Sequence, residues 1–153
     1  MTNRFRQQRK LESVICLVIM ASQWQVFCFV THRGENIIRE WLRKEKIPRT
    51  QVAVFQEKLD TFERGGPDLC TGLISSGPVA KDIYKMKIKG RKGHVQLRPM
   101  LCKGPFGDAE ITLLVGAIEK GFRLIPATCM TDAQENRRIL LADRARRRHE
   151  PVA

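Results

Sequence analysis

The stretch Asp82-Ile83-Tyr84-Lys85-Met86-Lys87-Ile88-Lys89-Gly90-Arg91-Lys92-Gly93-His94 constrains the fold most, because apolar and basic residues alternate along it with a period of two. A strand sends successive side chains to opposite faces, so Tyr84, Met86 and Ile88 are expected to face a core. Lys85, Lys87 and Lys89 then form a row on the opposite face, about 13 Å long at the rise of a strand. Like charges side by side repel, so a row of one sign points to a polyanion partner. The run ends in a basic turn flanked by Gly90 and Gly93.

Charge across the chain agrees. Among 153 residues, 28 Lys and Arg stand against 16 Asp and Glu, a formal net charge of +12. A hydrophobic fraction of 42% excludes a wholly disordered basic protein and is enough for one domain with a core. A small, folded, basic domain fits nucleic acid or an acidic protein surface; a solvated basic surface is the alternative that charge alone leaves open. Cys16, Cys28, Cys70, Cys102 and Cys129 are odd in number and form no C-x-x-C pair, and His32, His94 and His149 stand apart from them. Neither a metal site, nor another cofactor, nor a disulfide framework is expected, and a reducing, cytoplasmic compartment is the default.

Arg4, Arg6, Arg9 and Lys10 precede the apolar run Val14 to Ala21. That run is far shorter than the roughly 20 residues needed to span a bilayer, so no membrane is expected as partner. Residues 1–22 read as an extension outside the fold, and residues 1–19 as dispensable; a short export signal is the other reading.

The chain then reads as β-αα-βββ-α. Trp24 to Val30 has strand composition. Ile37, Ile38, Trp41 and Leu42 recur at helical spacing up to Pro48. Thr50 is the expected N-cap of a second helix, with Val52, Phe55, Leu59 and Phe62 as its stripe and Arg64-Gly65-Gly66-Pro67 as its stop. After a Gly/Pro/Ser-rich loop and the basic strand comes a second strand, Val95 to Cys102, in which Pro99 signals an edge or a bulge. Ile111 to Val115 reads as a central strand, and a helix over roughly 130–147 ends in the charge run Arg144 to Arg148. The expected fold is α+β: a helical hairpin packed on a small, mainly antiparallel sheet over residues 23–142, with residues 143–153 as a basic C-terminal tail.

This order and several local motifs resemble the RelE/HigB toxins of type II toxin–antitoxin systems. Arg39-Glu40-Trp41-Leu42-Arg43 is similar to the family's first-helix signature, and Asp82 to Lys87 to its Y-K-[IL]-K strand. Leu97-Arg98 stands where these toxins carry a Y-R pair. Leu113 to Lys120 resembles their L-L-h-g-f-x-K-K strand end, and Pro126 to Ala133 the entry to their last helix. The resemblance covers about residues 24–142. It implies an endoribonuclease that cuts mRNA, typically in the ribosomal A site, and is silenced by a cognate antitoxin; operator DNA is reached only through the antitoxin complex. It implies metal-independent chemistry, in which the 2′-hydroxyl attacks the adjacent phosphate. Lys85 and Lys87 match the family's strand lysines, which stabilise that phosphate, and Arg98 matches a phosphate clamp. Lys120 and Arg123 lie near the basic strand end that contacts RNA in these toxins. Lys89 continues the lysine row toward RNA, with Arg91 and His94 in the turn beyond it.

Two departures stand out. One catalytic arginine of RelE falls on Gly121, and its C-terminal tyrosine has no counterpart, since Tyr84 is the only tyrosine. His94 or His149 is then the candidate general acid. A ParE-like topoisomerase inhibitor, or a degenerate member that binds only antitoxin and operator DNA, is the alternative.

Overall fold

A computed structural model describes residues 4, 6–12 and 23–153. Helix α1, over residues 6–12, is exposed throughout; the rest of the extension expected over residues 1–22 falls outside the described residues. The elements that follow are β1 (Gln25–Phe29), α2 (Ile37–Lys44), α3 (Arg49–Leu69), β2 (Tyr84–Lys85), β3 (Gln96–Leu97), β4 (Met100–Lys103), β5 (Glu110–Val115), β6 (Ile118–Lys120), β7 (Arg123–Ile125), α4 (Cys129–Ala142) and β8 (Arg147–Arg148). The protein is α+β, with a five-stranded mixed sheet in the order β2-β4-β5-β1-β8 and a three-stranded antiparallel sheet in the order β3-β6-β7. Strand β1 runs parallel to β5, which every residue of burial on β5 marks as the centre of the sheet.

The helical hairpin covers one face of the large sheet. Ile38 and Leu42 of α2 and Phe55, Leu59 and Phe62 of α3 join Val26, Cys28, Leu101, Ile111 and Leu113 in one core. Helix α4 covers the other face, where Cys129, Ala133 and Leu140 meet Phe29, Met100, Cys102 and Leu114. The Asn36 side chain caps α2 by accepting from the Ile38 and Arg39 N–H groups at 3.0 and 3.2 Å. Pro48, not Thr50, precedes the first turn of α3, and no side chain caps it. That helix breaks where expected. Gly66 has φ 66°, and a Cβ there would overlap the Trp24 indole, so glycine is required on two counts.

Three expected boundaries change. Pro99 divides Val95 to Cys102 into β3 and β4, which belong to different sheets. Lacking an N–H, Pro99 cannot continue a ladder as donor; its carbonyl accepts from Met86 at 2.9 Å, and the register shifts between Met100 and Leu101. Helix α4 ends at Ala142 rather than near 147, with the Asp143 N–H closing back on the carbonyls of Ile139 and Leu140. The chain beyond it then returns as β8 against β1. Arg147 packs its guanidinium carbon 3.7 Å from the Phe27 ring centroid and pairs with Glu110, while Val152 is buried. The C-terminal charge run therefore belongs in part to the fold and is not simply a solvated helix end.

Candidate nucleic-acid interface

Of the expected basic strand only Tyr84–Lys85 forms a regular strand, β2; the chain continues to Lys89 as extended backbone with isolated bridges at Met86 and Ile88, and this lysine strand is held on both edges. On one side the N–H groups of Met86 and Ile88 donate to Pro99 O and Leu97 O at 2.9 and 3.1 Å; on the other, Lys87 N–H donates to Leu73 O at 2.7 Å and Ser75 N–H to Lys85 O at 2.8 Å. Extended backbone so fixed keeps the period-two alternation. Met86 and Ile88 are buried, Tyr84 is half-buried, and Lys87 and Lys89 are exposed. Lys85 departs from the expected row: it is half-buried, and its charge is felt at the Cys129 thiol on α4.

Lys87 and Lys89 line a cavity of about 320 Å³ with Lys58 of α3, Thr61, Cys70 and Thr71. Among the described residues no carboxylate lines it, so three lysines border one space without an acidic side chain between them. A second cleft, of about 740 Å³, has a different lining. Asp60, Glu63 and Glu110 line it with Arg64 and His149, and His149 Nε2 lies 2.9 Å from Glu63 Oε1. Of the two, the smaller cavity has the lining charge better suited to a polyanion.

Register gathers the other cations. Ile88 bridges Leu97, Leu97 pairs with Ile118, and Ile118 with Ile125, each antiparallel. Moving forward from Ile88, backward from Leu97, forward from Ile118 and backward from Ile125 is consequently movement toward one end of the small sheet. The turn at Gly90–His94 and the β6–β7 tip project from that end, within about 15 Å of each other at the spacing of strands. Lys89, Arg91, His94, Lys120 and Arg123 are thus brought together. The His94 ring accepts the Arg91 N–H at Nδ1, 3.1 Å away, which leaves Nε2 as the protonated nitrogen of the neutral imidazole. His149 lies in the acidic cleft instead, tilted against Phe27.

Arg98 does not stand free as a clamp. Its side chain is 11% exposed, and Nε meets Glu119 Oε2 at 2.9 Å. Its remaining donors reach Leu97 O at 2.9 Å, Ile88 O at 3.5 Å and Gln96 Oε1 at 3.4 Å. Four contacts leave the guanidinium little to offer a phosphate, so Arg98 ties the lysine strand to β3 and β6 and neutralises Glu119. Arg98→Met is expected to destabilise the protein by about 1–3 kcal/mol in urea denaturation, through the unpaired Glu119 carboxylate. Adding Glu119→Gln should return part of that loss; an unchanged midpoint in the single variant would contradict this tie.

The backbone gives Gly121 a local reason. Lys120 pairs with Arg123 across a two-residue turn, and Gly121 takes φ 61° at its first position, which an arginine adopts only under strain. The sequence reading missed two residues of this surface. Nothing in the sequence marks Lys58 as the α3 lysine that faces the strand. Phe122 carried a legible signal, an aromatic residue between two cations in a turn.

Of the described thiols, Cys70 lines the lysine cavity, while Cys28, Cys102 and Cys129 are buried in the core. Burial pushes Cys28 up to about 12 and Cys102 up to about 11, and it also raises Cys129. In a Cys16→Ser variant at pH 8, half-buried Cys70 should be alkylated in the native state, and Cys28, Cys102 and Cys129 only on unfolding, as read by mass spectrometry. The raised thiols stabilise the fold fully below the ordinary thiol value of 9.0, and stability falls as pH rises toward 11–12, because unfolded thiols ionise there first. Rapid native alkylation of all four would contradict the packing.

Among the described residues, no group of three His, Cys, Asp or Glu side chains is arranged to hold a metal ion, and no helix is long and apolar enough to cross a membrane. Compared with known proteins, the chain matches no family model, no curated protein and no solved structure.

Proposed function

We propose that this protein is a RelE/HigB-like toxin, a metal-independent endoribonuclease that cuts mRNA in the cytoplasm, in association with the ribosome, and is silenced by an antitoxin. The observation that carries the reading is the acid-free cavity shared by Lys58, Lys87 and Lys89 beside the cationic end of the small sheet. The 2′-oxygen of RNA attacks the adjacent phosphorus as the P–O5′ bond breaks, leaving a 2′,3′-cyclic phosphate and a 5′-hydroxyl. Negative charge grows on the non-bridging oxygens, where fixed ammonium groups stabilise it. Lys87 is best placed for this, with Lys85 behind it on the same strand. Protonated His94 donates from Nε2 to the leaving 5′-oxygen, releasing the Arg91 N–H from Nδ1, and water takes the proton of the attacking 2′-hydroxyl. Arg98 acts on the strand rather than on the phosphate. An acidic antitoxin segment would cover the same cations, and its association should accelerate at low salt.

The test is incubation of the purified protein with single-stranded RNA in excess chelator, alone and on programmed ribosomes. Products should end in 2′,3′-cyclic phosphate, and a 2′-deoxy nucleotide at the cut position should block cleavage. Intact RNA in both settings would overturn the reading and favour a protein-binding inhibitor.

A further inference from the structure

Phe122 is fully exposed, at 105% of reference accessibility, more than any other large hydrophobic residue among those described. It sits at the tip of the β6–β7 hairpin. Gly121 absorbs the positive φ of the two-residue turn, so Phe122 keeps an ordinary backbone and its ring is carried on a tight, paired support. Lys120 and Arg123 flank it as the closing pair, both exposed. The neighbouring Gly90–His94 turn adds Arg91 and Lys92, exposed at the same end. The three small strands carry one carboxylate, Glu119, and Arg98 holds it.

An exposed phenyl ring stabilises nothing in the fold, and apolar surface of this kind gains by being covered. Cations on both sides specify an occupant that is both flat and anionic. Single-stranded nucleic acid is such an occupant: its bases stack on an aromatic face while its phosphates meet the cations. A duplex hides its base faces, and A-form RNA offers side chains little in its narrow major groove. A lipid surface would want more apolar area than one ring, since Lys120 and Arg123 bracket Phe122 immediately.

We infer that Phe122 is a base-stacking platform that selects single-stranded RNA and holds a base at the cationic end of the small sheet. This deepens the nuclease reading and rests on it for the identity of the strand. Phe122 lies several strand spacings from Lys87, so the stacked base belongs to a nucleotide flanking the cut.

The experiment measures equilibrium binding of a short polyuridine RNA at fixed salt, with 2′-deoxy nucleotides blocking cleavage, to the full chain and to Phe122→Leu and Phe122→Trp. Leucine keeps the apolar bulk and removes the aromatic face, so affinity should fall about 5- to 150-fold, the range of one base–aromatic stack. Tryptophan should restore it, and the added fluorescence, read as a difference from the parent, should be quenched by RNA. A double-stranded RNA should bind the parent and Phe122→Leu equally. If the parent binds and cuts RNA while Phe122→Leu matches it, this inference alone falls. If Phe122 governs binding but RNA with its 2′-hydroxyls stays uncut, the platform stands and the nuclease reading falls. No RNA binding by the parent overturns both. Loss of binding to anionic lipid vesicles in Phe122→Leu, with RNA binding unchanged, assigns the ring to a membrane surface and overturns the inference.

Discussion

Arg147→Ala is expected to destabilise the protein by about 3–5 kcal/mol, the usual cost of removing one partner from a buried ion pair. Arg147 and Glu110 side chains are 7% and 9% exposed, so the carboxylate left behind has little access to water. The guanidinium also lies between two rings, 3.7 Å from the Phe27 centroid and 4.8 Å from that of Phe106. Cation–π attraction of about 2 kcal/mol for a desolvated pair is therefore lost as well, within the same range. Urea denaturation of both proteins measures the difference. Exposed Arg144→Ala, which loses the contact of its guanidinium with the Phe106 ring at 4.9 Å, should change it by no more than about 1 kcal/mol. Equal, small effects at both positions would mean that residues 143–153 are a solvated tail and that β8 does not hold in solution.

The largest functional effect is expected at Lys87. If its ammonium stabilises charge on the phosphate in the transition state, Lys87→Ala should slow single-turnover RNA cleavage by about 10²-fold or more. Folding should change by less than about 0.5 kcal/mol, because the side chain is exposed. Lys85→Ala should cost less, since half-burial leaves that ammonium less open to an incoming strand. Lys89→Ala should act on binding, lowering the salt dependence of affinity by about 0.7 in log–log slope for a single strand. A Lys87→Ala protein that cleaves at the parent rate would remove the strand from the chemistry.

Periodicity made the large elements legible. The stripes on α2 and α3, the buried strand β5 and the alternation of Met86 and Ile88 with Lys87 and Lys89 follow from the spacing of apolar residues, and the structure places them so. What escaped was decided by single contacts between distant residues. Arg98 reads as a free cation until Glu119, 21 positions later, is brought beside it by the β3–β6 pairing. Arg147 reads as part of a solvated run until Glu110 and two aromatic rings surround it. The β6–β7 hairpin was missed because Gly121-Phe122 lacks the Asn-Gly signal of such turns, and three-residue strands carry too little alternation to register. Of the candidate residues, Lys89, Arg91, His94, Lys120 and Arg123 converge through register alone, which local pattern does not encode.

The central claim is that RNA binds across the lysine strand and the cationic end of the small sheet. Photocrosslinking of the protein to a single-stranded RNA carrying 4-thiouridine, followed by mapping of the linked peptides, tests it most directly. The account predicts crosslinks within residues 85–98 and 118–125, lost when unlabelled RNA competes. Crosslinks confined to the cleft of Asp60, Glu63 and His149, or none that unlabelled RNA displaces, would contradict it.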